Sequence, residues 1–456
     1  MFVILLIMAR QLGPDLFGLV AIVMIFIDIA QGLTDFGFSQ ALIRKQSYSP
    51  QDCNSVFLFN VLSGGVIYLL LLLCKSGISA FFGLPALSQI IPWLGPAVVF
   101  NAFSVVQRSV LTSRLDFRTQ TKASLLSTLI SGIVGLTMVF SGYGVASLVA
   151  LYLLRSFFNS VLLWVFNDWR PSFLFSLSSL KEMAAFSSPL AIAGLLDSFY
   201  TNGIGLIIGK AFNASDLAFF NRARQFASLP SSNITNVVQK VSYPALCKIS
   251  EDSNRLATAY KKYLLLSVAL LFPVMGIIGA LASPIVNLLL GPEWSFTAIL
   301  LMILAPAMMW YPVHAINLNL LLVAGRSNLF LKVEILKKIT GITLIALLFS
   351  FGIIYVAAGI LLSSLLALVY NTFYTRRLIG LGLLRQLKLF LPVIVMTIII
   401  SGLCFMIVGL SLPNWITLLI AVPLSAALYL IMLRMVQPVI WGEFISLIQH
   451  IRRIPE

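Results

Sequence analysis

Charge is what this chain has least of. Of its 456 residues only 10% are Asp, Glu, Lys or Arg, and just 15 are acidic. A soluble chain carries roughly a quarter charged residues, so a water-facing globular or disordered protein is excluded. The four cysteines, Cys53, Cys74, Cys247 and Cys404, lie scattered through apolar runs with no C-x-x-C spacing. That excludes a zinc framework or disulfide scaffold and leaves buried, inert thiols as the expectation. No small-residue cleavage site follows a short apolar core, so no secretory signal is read. The chain also offers no metal-ligand cluster, no nucleophile beside a base and no ATP-binding domain. Neither a cofactor nor a catalytic residue is expected.

What the chain has is apolar length: 60% of it is hydrophobic, with a mean hydropathy of +1.01. Crossing a bilayer takes about 20 mostly apolar residues, and backbone in lipid must be helical or in a closed barrel. Spans are expected at 1–11, 16–38, 54–74, 88–107, 121–141, 144–165, 184–208 and 217–238. Others follow at 260–282, 296–323, 333–351, 354–374, 389–410 and 415–435. The fold class is therefore an all-α integral membrane protein of about 14 helices. The eighth span, "LAFFNRARQFASLPSSNITNVV", is so polar that hydropathy alone misses it. The first is half-length, about 14 Å of helix, so a truncated or misassigned start is expected. The stretch "ARQLGPDLFG" after it reads as the turn between the first two helices.

Positive charge orients these spans. The even-numbered gaps and the C-terminal tail hold 24 of the 30 Lys and Arg. The odd gaps hold only Arg10, Lys75 and Lys210, while Arg155, Arg222 and Arg224 fall inside spans. Positive charge stays cytoplasmic, which places the even gaps and the C-terminus in the cytoplasm of a multi-pass membrane protein. The net charge of +15 is then a matter of topology and anionic lipid headgroups, and nucleic acid is not a partner.

An internal repeat divides the chain. "ARQLGPDLFGLV" from Ala9 resembles "GKAFNASDLAFF" from Gly209, and "FFGLPALSQIIPWLGPA" resembles "LLGPEWSFTAILLMILAPA". "SGYGVAS" parallels "SFGIIYVAAG", and Arg114 matches Arg326. Two six-helix lobes of the same orientation follow: an N-terminal lobe over 1–166, a cytoplasmic linker over 167–183 and a C-terminal lobe over 184–375. Two extra helices occupy 376–436, with a cytoplasmic tail over 437–456.

The stretch "ARQLGPDLFGLVAIVMIFIDIAQGLTDFGFSQALI" resembles the opening of bacterial oligosaccharide flippases. "IIGKAFNASDLAFFNRARQFASLP", "SYPAL" at Ser242 and "LLLGPEWSFTAILLMILA" resemble later parts of the same family. It belongs to the superfamily that includes multidrug exporters and the lipid II flippase. The resemblance implies a V-shaped pair of lobes around a cavity, alternating access and an undecaprenyl-diphosphate-linked oligosaccharide as substrate. Surface-polysaccharide biosynthesis, with other assembly proteins as partners, is the implied context. The alternatives are a small-molecule exporter of the same superfamily and, less favoured, a membrane polysaccharide polymerase or ligase.

An ionised residue at the bilayer centre costs about 2.5–3.5 kcal/mol on the insertion scale, so each needs a partner, a wet cavity or a function. Asp28, Gln31 and Asp35 fall at i, i+3 and i+7, one helical face. Arg222, Gln225, Ser232, Asn236 and Gln239 share a face of the eighth span. Arg222 and Arg155 are the candidates for the diphosphate, because Arg pairs phosphate oxygens bidentately. Gln225 and Asn236 suit sugar hydroxyls. Asp28, Asp35 and Asp197 are the candidates for a coupling H+ or Na+. The competing reading of Asp28 and Asp35 is an ion pair with Arg222 or Arg155. His314, with Asn317, is either a proton-coupling group or a satisfied interior polar residue. Gly205 and Gly209 form a G-x-x-x-G suited to close helix packing.

Overall fold

Every secondary-structure element in the computed structural model is helical; it describes residues 1–45, 48–172 and 174–443. The helices separate into two compact units, Met1–Ala218 and Phe219–Glu456. The first contains α1 (Phe2–Asp35), α2 (Phe38–Arg44), α3 (Pro50–Phe82), α4 (Ala86–Leu94) and α5 (Pro96–Ser113). It continues with α6 (Phe117–Phe140), α7 (Val145–Phe166), α8 (Leu177–Ala211) and the start of α9 (Ala214–Lys248). The second holds the rest of α9, α10 (Ser253–Ala280), α11 (Ala282–Leu289), α12 (Ser295–Met309) and α13 (Tyr311–Val323). Its remaining helices are α14 (Ser327–Leu348), α15 (Ile353–Ile379), α16 (Leu383–Gly409) and α17 (Asn414–Val436).

Among the described residues ten helices are long and apolar enough to cross a membrane, and the chain is a multi-pass membrane protein. The other expected spans fall on α8, α9 and α14 and on a division of α1. Residues 2–12 and 14–35 are separate helical segments joined at Gly13, whose φ of 72° and ψ of 174° break the ladder. Glycine tolerates that positive φ, and Pro14, lacking an N–H, opens the next segment without losing a hydrogen bond. The turn expected over Ala9–Gly18 is therefore a one-residue break. The polar eighth span is helical throughout, since α9 runs through both Pro230 and Pro244.

Local chemistry starts and anchors the helices. Ser49 and Asp52 form a reciprocal capping box at α3, satisfying two backbone donors that the first turn leaves open. Asp52 also accepts from Ser179 at the head of α8 and pairs with Lys45 at 3.1 Å. That bond holds the Lys45 ammonium above its usual pKa. Ser172 N donates to Asn54 Oδ1 at 2.9 Å and Ser176 N to Ser55 Oγ at 2.8 Å. The segment between α7 and α8, expected as a linker, is thus stapled to α3. The tail beyond 443 lies outside the described residues.

α8, the helix expected to open the second lobe, packs within the first unit against α1, α3 and α2. The expected glycine packing is present: Gly205 lies against Ile25, and Gly209 against Ile22. At Gly18 an added Cβ would overlap the Ala214 carbonyl, so only glycine lets α1 pass the start of α9. All four cysteines are free, as the spacing implied, but only Cys53 and Cys404 are buried. Cys74 and Cys247 are exposed, a correction that follows from their outward-facing helix positions.

Candidate functional site

Two adjoining polar cavities lie in the first unit. The larger, about 560 Å³, is lined by Asp28 and Gln31 of α1, Asn101 and Arg108 of α5, Gln120 and Ser124 of α6, and Arg155 and Asn159 of α7. The second, about 470 Å³, is lined by Gln31, Asp35, Gln40, Asn101, Arg108 and Thr112, with Ala191, Gly194 and Leu195 of α8 closing one side. Gln31, Asn101 and Arg108 belong to both walls. Each volume falls in the range of small-molecule sites. Helical spacing builds the lining: Asp28, Gln31 and Asp35 share a face of α1, and Asn101 and Arg108 stand two turns apart on α5.

The charges here are not cancelled by ion pairs. Asp28 and Arg155 line the same cavity, yet among the described residues neither has a hydrogen-bond or ion-pair partner. Arg108 donates from Nη2 to Ser104 Oγ at 2.7 Å, and its Nε is buried without a partner. Asp35 differs: its carboxylate accepts from the backbone and hydroxyl of Ser39 and so caps the first turn of α2. The ion pair between Asp28 or Asp35 and Arg155 is not formed.

Arg108 is the functional candidate that span reading passes over. The expected span stopped at 107, which put Arg108 in a cytoplasmic gap. α5 instead continues to Ser113, which carries the guanidinium into the cavity wall. The signal was present in the polar series Asn101, Ser104, Arg108 and Thr112 at helical spacing. Arg114 and Arg118, beyond the helix end, are exposed as topology signals should be.

A family model described as a polysaccharide biosynthesis protein matches residues 7–299. The chain belongs to that family. It is similar to the succinoglycan biosynthesis transport protein ExoT of Rhizobium meliloti (strain 1021), 24% identical over 295 residues. Those residues are 65% of this chain and 60% of ExoT, so the match spans less than two thirds of that relative. It is also similar to the lipopolysaccharide biosynthesis protein WzxC of Escherichia coli (strain K12), 24% identical over 372 residues, 80% of this chain and 74% of WzxC. Among solved structures, the lipid II flippase MurJ in an inward closed conformation matches with a TM-score of 0.77 at 15% identity. That match covers 95% of this chain and 96% of MurJ. An inward-facing multidrug resistance transporter of the MATE family and MOP superfamily matches at 0.62, with 16% identity, over 83% of this chain and 94% of that one. The family fold is shared with both.

The other sequence-predicted residues of this family member sit elsewhere. Arg222, Gln225 and Asn236 lie on α9 in the second unit. Arg222 is buried and donates to Gln225 Oε1 at 2.5 Å, whereas Asn236 is exposed. Asp197 lies on α8, but its side chain is outside the described residues.

One cluster of the second unit closes its polar groups on one another, while Thr235, Ser242 and Thr397 keep buried hydroxyls without a partner. Tyr260 donates to Asn317 Oδ1 at 2.7 Å. Gln386 Nε2 lies 3.1 Å from Asn317 Oδ1 and 3.2 Å from Thr375 Oγ1. Ser364 donates its hydroxyl proton to Ala307 O at 2.9 Å, so its oxygen must accept from His314 Nε2–H at 3.1 Å. His314 Nδ1 is then the acceptor for Asn371 Nδ2 at 3.0 Å. Both ring nitrogens are engaged in a neutral tautomer. His314 is thus placed as a satisfied interior residue.

Proposed function

We propose that this chain is a flippase that moves undecaprenyl-diphosphate-linked oligosaccharide units from the cytoplasmic to the outer leaflet. The context is surface-polysaccharide biosynthesis at a bacterial inner membrane, with the C-terminus in the cytoplasm. The observation that carries this reading is the pair of polar cavities holding Arg108 and Arg155 without carboxylate ion pairs. Two guanidiniums inside an apolar bundle are costly unless an anion meets them. A diphosphate does so with planar, bidentate geometry. Gln31, Asn101, Gln120 and Asn159 supply donors and acceptors for sugar hydroxyls, while the polyprenyl tail stays in lipid. ExoT and WzxC, named for polysaccharide transport and biosynthesis, agree with this chemistry.

Alternating access would carry the headgroup across. Each elementary charge moved through the membrane potential is worth about 2.3 kcal/mol per 100 mV, so an H+ or Na+ gradient suffices as the source of work. Asp28, Asp35 and Asp197 are the proposed ion groups. Of these, Asp28 is the strongest, since its carboxylate faces the cavity with no partner. Arg222, Gln225 and Asn236 are proposed to meet the diphosphate and sugar from the second repeat. The repeat lobes proposed from sequence, 1–166 and 184–375, would be the moving halves.

The test is deletion with complementation. The expected outcome is that lipid-linked oligosaccharide accumulates on the cytoplasmic face in the deletion strain. The intact gene should clear it, and an Arg108→Ala gene should not. Normal surface polysaccharide in the deletion strain, with drug sensitivity as the sole phenotype, would instead identify a small-molecule exporter.

A further inference from the structure

The helices α5 and α7 form a wall with two unlike sides. Asn101 and Arg108 of α5 and Arg155 and Asn159 of α7 face the polar cavity. The opposite faces of the two helices line an apolar groove of about 500 Å³, made by Phe100, Phe103, Phe157, Val161 and Trp164, with Arg170 at one end. The spacing explains the division: 155 and 159 lie on one face of α7, and 157, 161 and 164 on another. Phe100 and Phe157 meet edge to face at 5.2 Å, and Trp164 Nε1 donates to Phe103 O at 2.9 Å. The groove is therefore held open by locked aromatics.

Arg170 is aimed by its own backbone. Its Nη1 donates to Asn167 O at 2.5 Å and Trp169 O at 2.9 Å. Asn167 is in turn fixed by Gln107, its Nδ2 lying 2.6 Å from Oε1, and Gln107 Nε2 donates to Trp169 O at 3.2 Å. Among the described residues no carboxylate lies within ion-pair distance of Arg170. The guanidinium thus keeps donors for an anion, at the end of a membrane-crossing helix where Trp164 and Trp169 mark an interfacial position.

We infer that this groove binds an anionic phospholipid, with one acyl chain against Phe100, Phe157 and Val161 and the phosphate on Arg170. Charge complementarity selects this occupant. A zwitterionic lipid such as phosphatidylcholine brings its own ammonium beside the phosphate and so no net charge for Arg170, and a free phosphate would leave the apolar walls uncovered. The polar cavity lies on the far side of the same two helices, so the site is separate from the one proposed for the diphosphate-linked sugar.

The test is native mass spectrometry of the purified chain with added phosphatidylglycerol or phosphatidylcholine. Wild type should retain phosphatidylglycerol preferentially. Arg170→Ala should weaken it about fivefold, the effect of one cation at a membrane surface, and Arg170→Lys should restore most of that loss. Val161→Trp, which fills the groove, should lower retention with Arg170 intact. Unchanged elution volume in gel filtration shows that each variant folds. Equal retention of the two lipids, or of phosphatidylglycerol by wild type and Arg170→Ala, would overturn the assignment. So would tighter, Arg170-dependent retention of a polyprenyl phosphate.

Discussion

The charged cavities of the first unit and one polar cluster of the second treat interior polarity in opposite ways. In the first, Asp28, Arg108 and Arg155 face cavities with donors and acceptors left over. In the second, Tyr260, Asn317, Thr375 and Gln386 bond to one another, and His314 is held between Ser364 and Asn371. Desolvated polar groups are costly unless partnered. A closed network therefore stiffens a bundle, whereas an open one marks a place where something else completes the bonding. On the function proposed above, the first unit's cavities would carry most of the recognition and the second unit's cluster would serve mechanical integrity.

The sharpest way to break that comparison is Arg108→Ala. Removing one member of a buried, hydrogen-bonded charge contact costs about 2–5 kcal/mol, which is a fall of at least about 30-fold in affinity. Uptake of lipid-linked oligosaccharide into everted membrane vesicles should drop by that factor at equal protein level. Arg108→Lys should fall between, because an ammonium keeps the charge but loses the fork. Arg155→Ala should cost less, about tenfold, since Arg108 and not Arg155 holds a buried nitrogen without a partner. Full uptake by both alanine variants would move recognition out of these cavities and toward Arg222.

Gln386→Leu tests the other side. Its amide touches Asn317, Thr375, Tyr260 and Leu381 O. Leucine would strand those buried groups at about 1–3 kcal/mol. Thermal unfolding in detergent should shift down, while the substrate concentration at half-maximal uptake stays at the wild-type value. A change in that concentration without loss of stability would make the second unit's network part of recognition.

How far these contrasts can be read from sequence depends on the range of the interaction. The stripe Asp28, Gln31 and Asp35 was legible because a helix repeats every 3.6 residues, and the Gly205 and Gly209 packing face was legible for the same reason. Asp35, however, spends its carboxylate on Ser39, a capping role that its position in the stripe hides. Arg108 was hidden by its position at a hydropathy boundary, where an Arg reads as an orientation signal. The bonds between Tyr260, Asn317 and Gln386 join residues from three helices, and no local period announces them. In the sequence Asn317 stands out only as a neighbour of His314.

His314 offers the smallest effect and the finest discrimination. A lone histidine within a transporter helix invites a proton-carrying role, and that role needs a ring nitrogen able to take up a proton. Here Nε2–H donates to a hydroxyl whose own proton is committed to Ala307 O, and Nδ1 accepts from Asn371. Protonating Nδ1 would set two donors against each other unless the Asn371 amide turned over. His314→Gln keeps one donor and one acceptor in similar places. Uptake by that variant should stay within about twofold of wild type, and its pH profile should superimpose on the wild-type curve. A shifted or flattened profile would show that the second unit carries a proton, and the division between the first unit's open cavities and the second unit's closed cluster would fail at this residue.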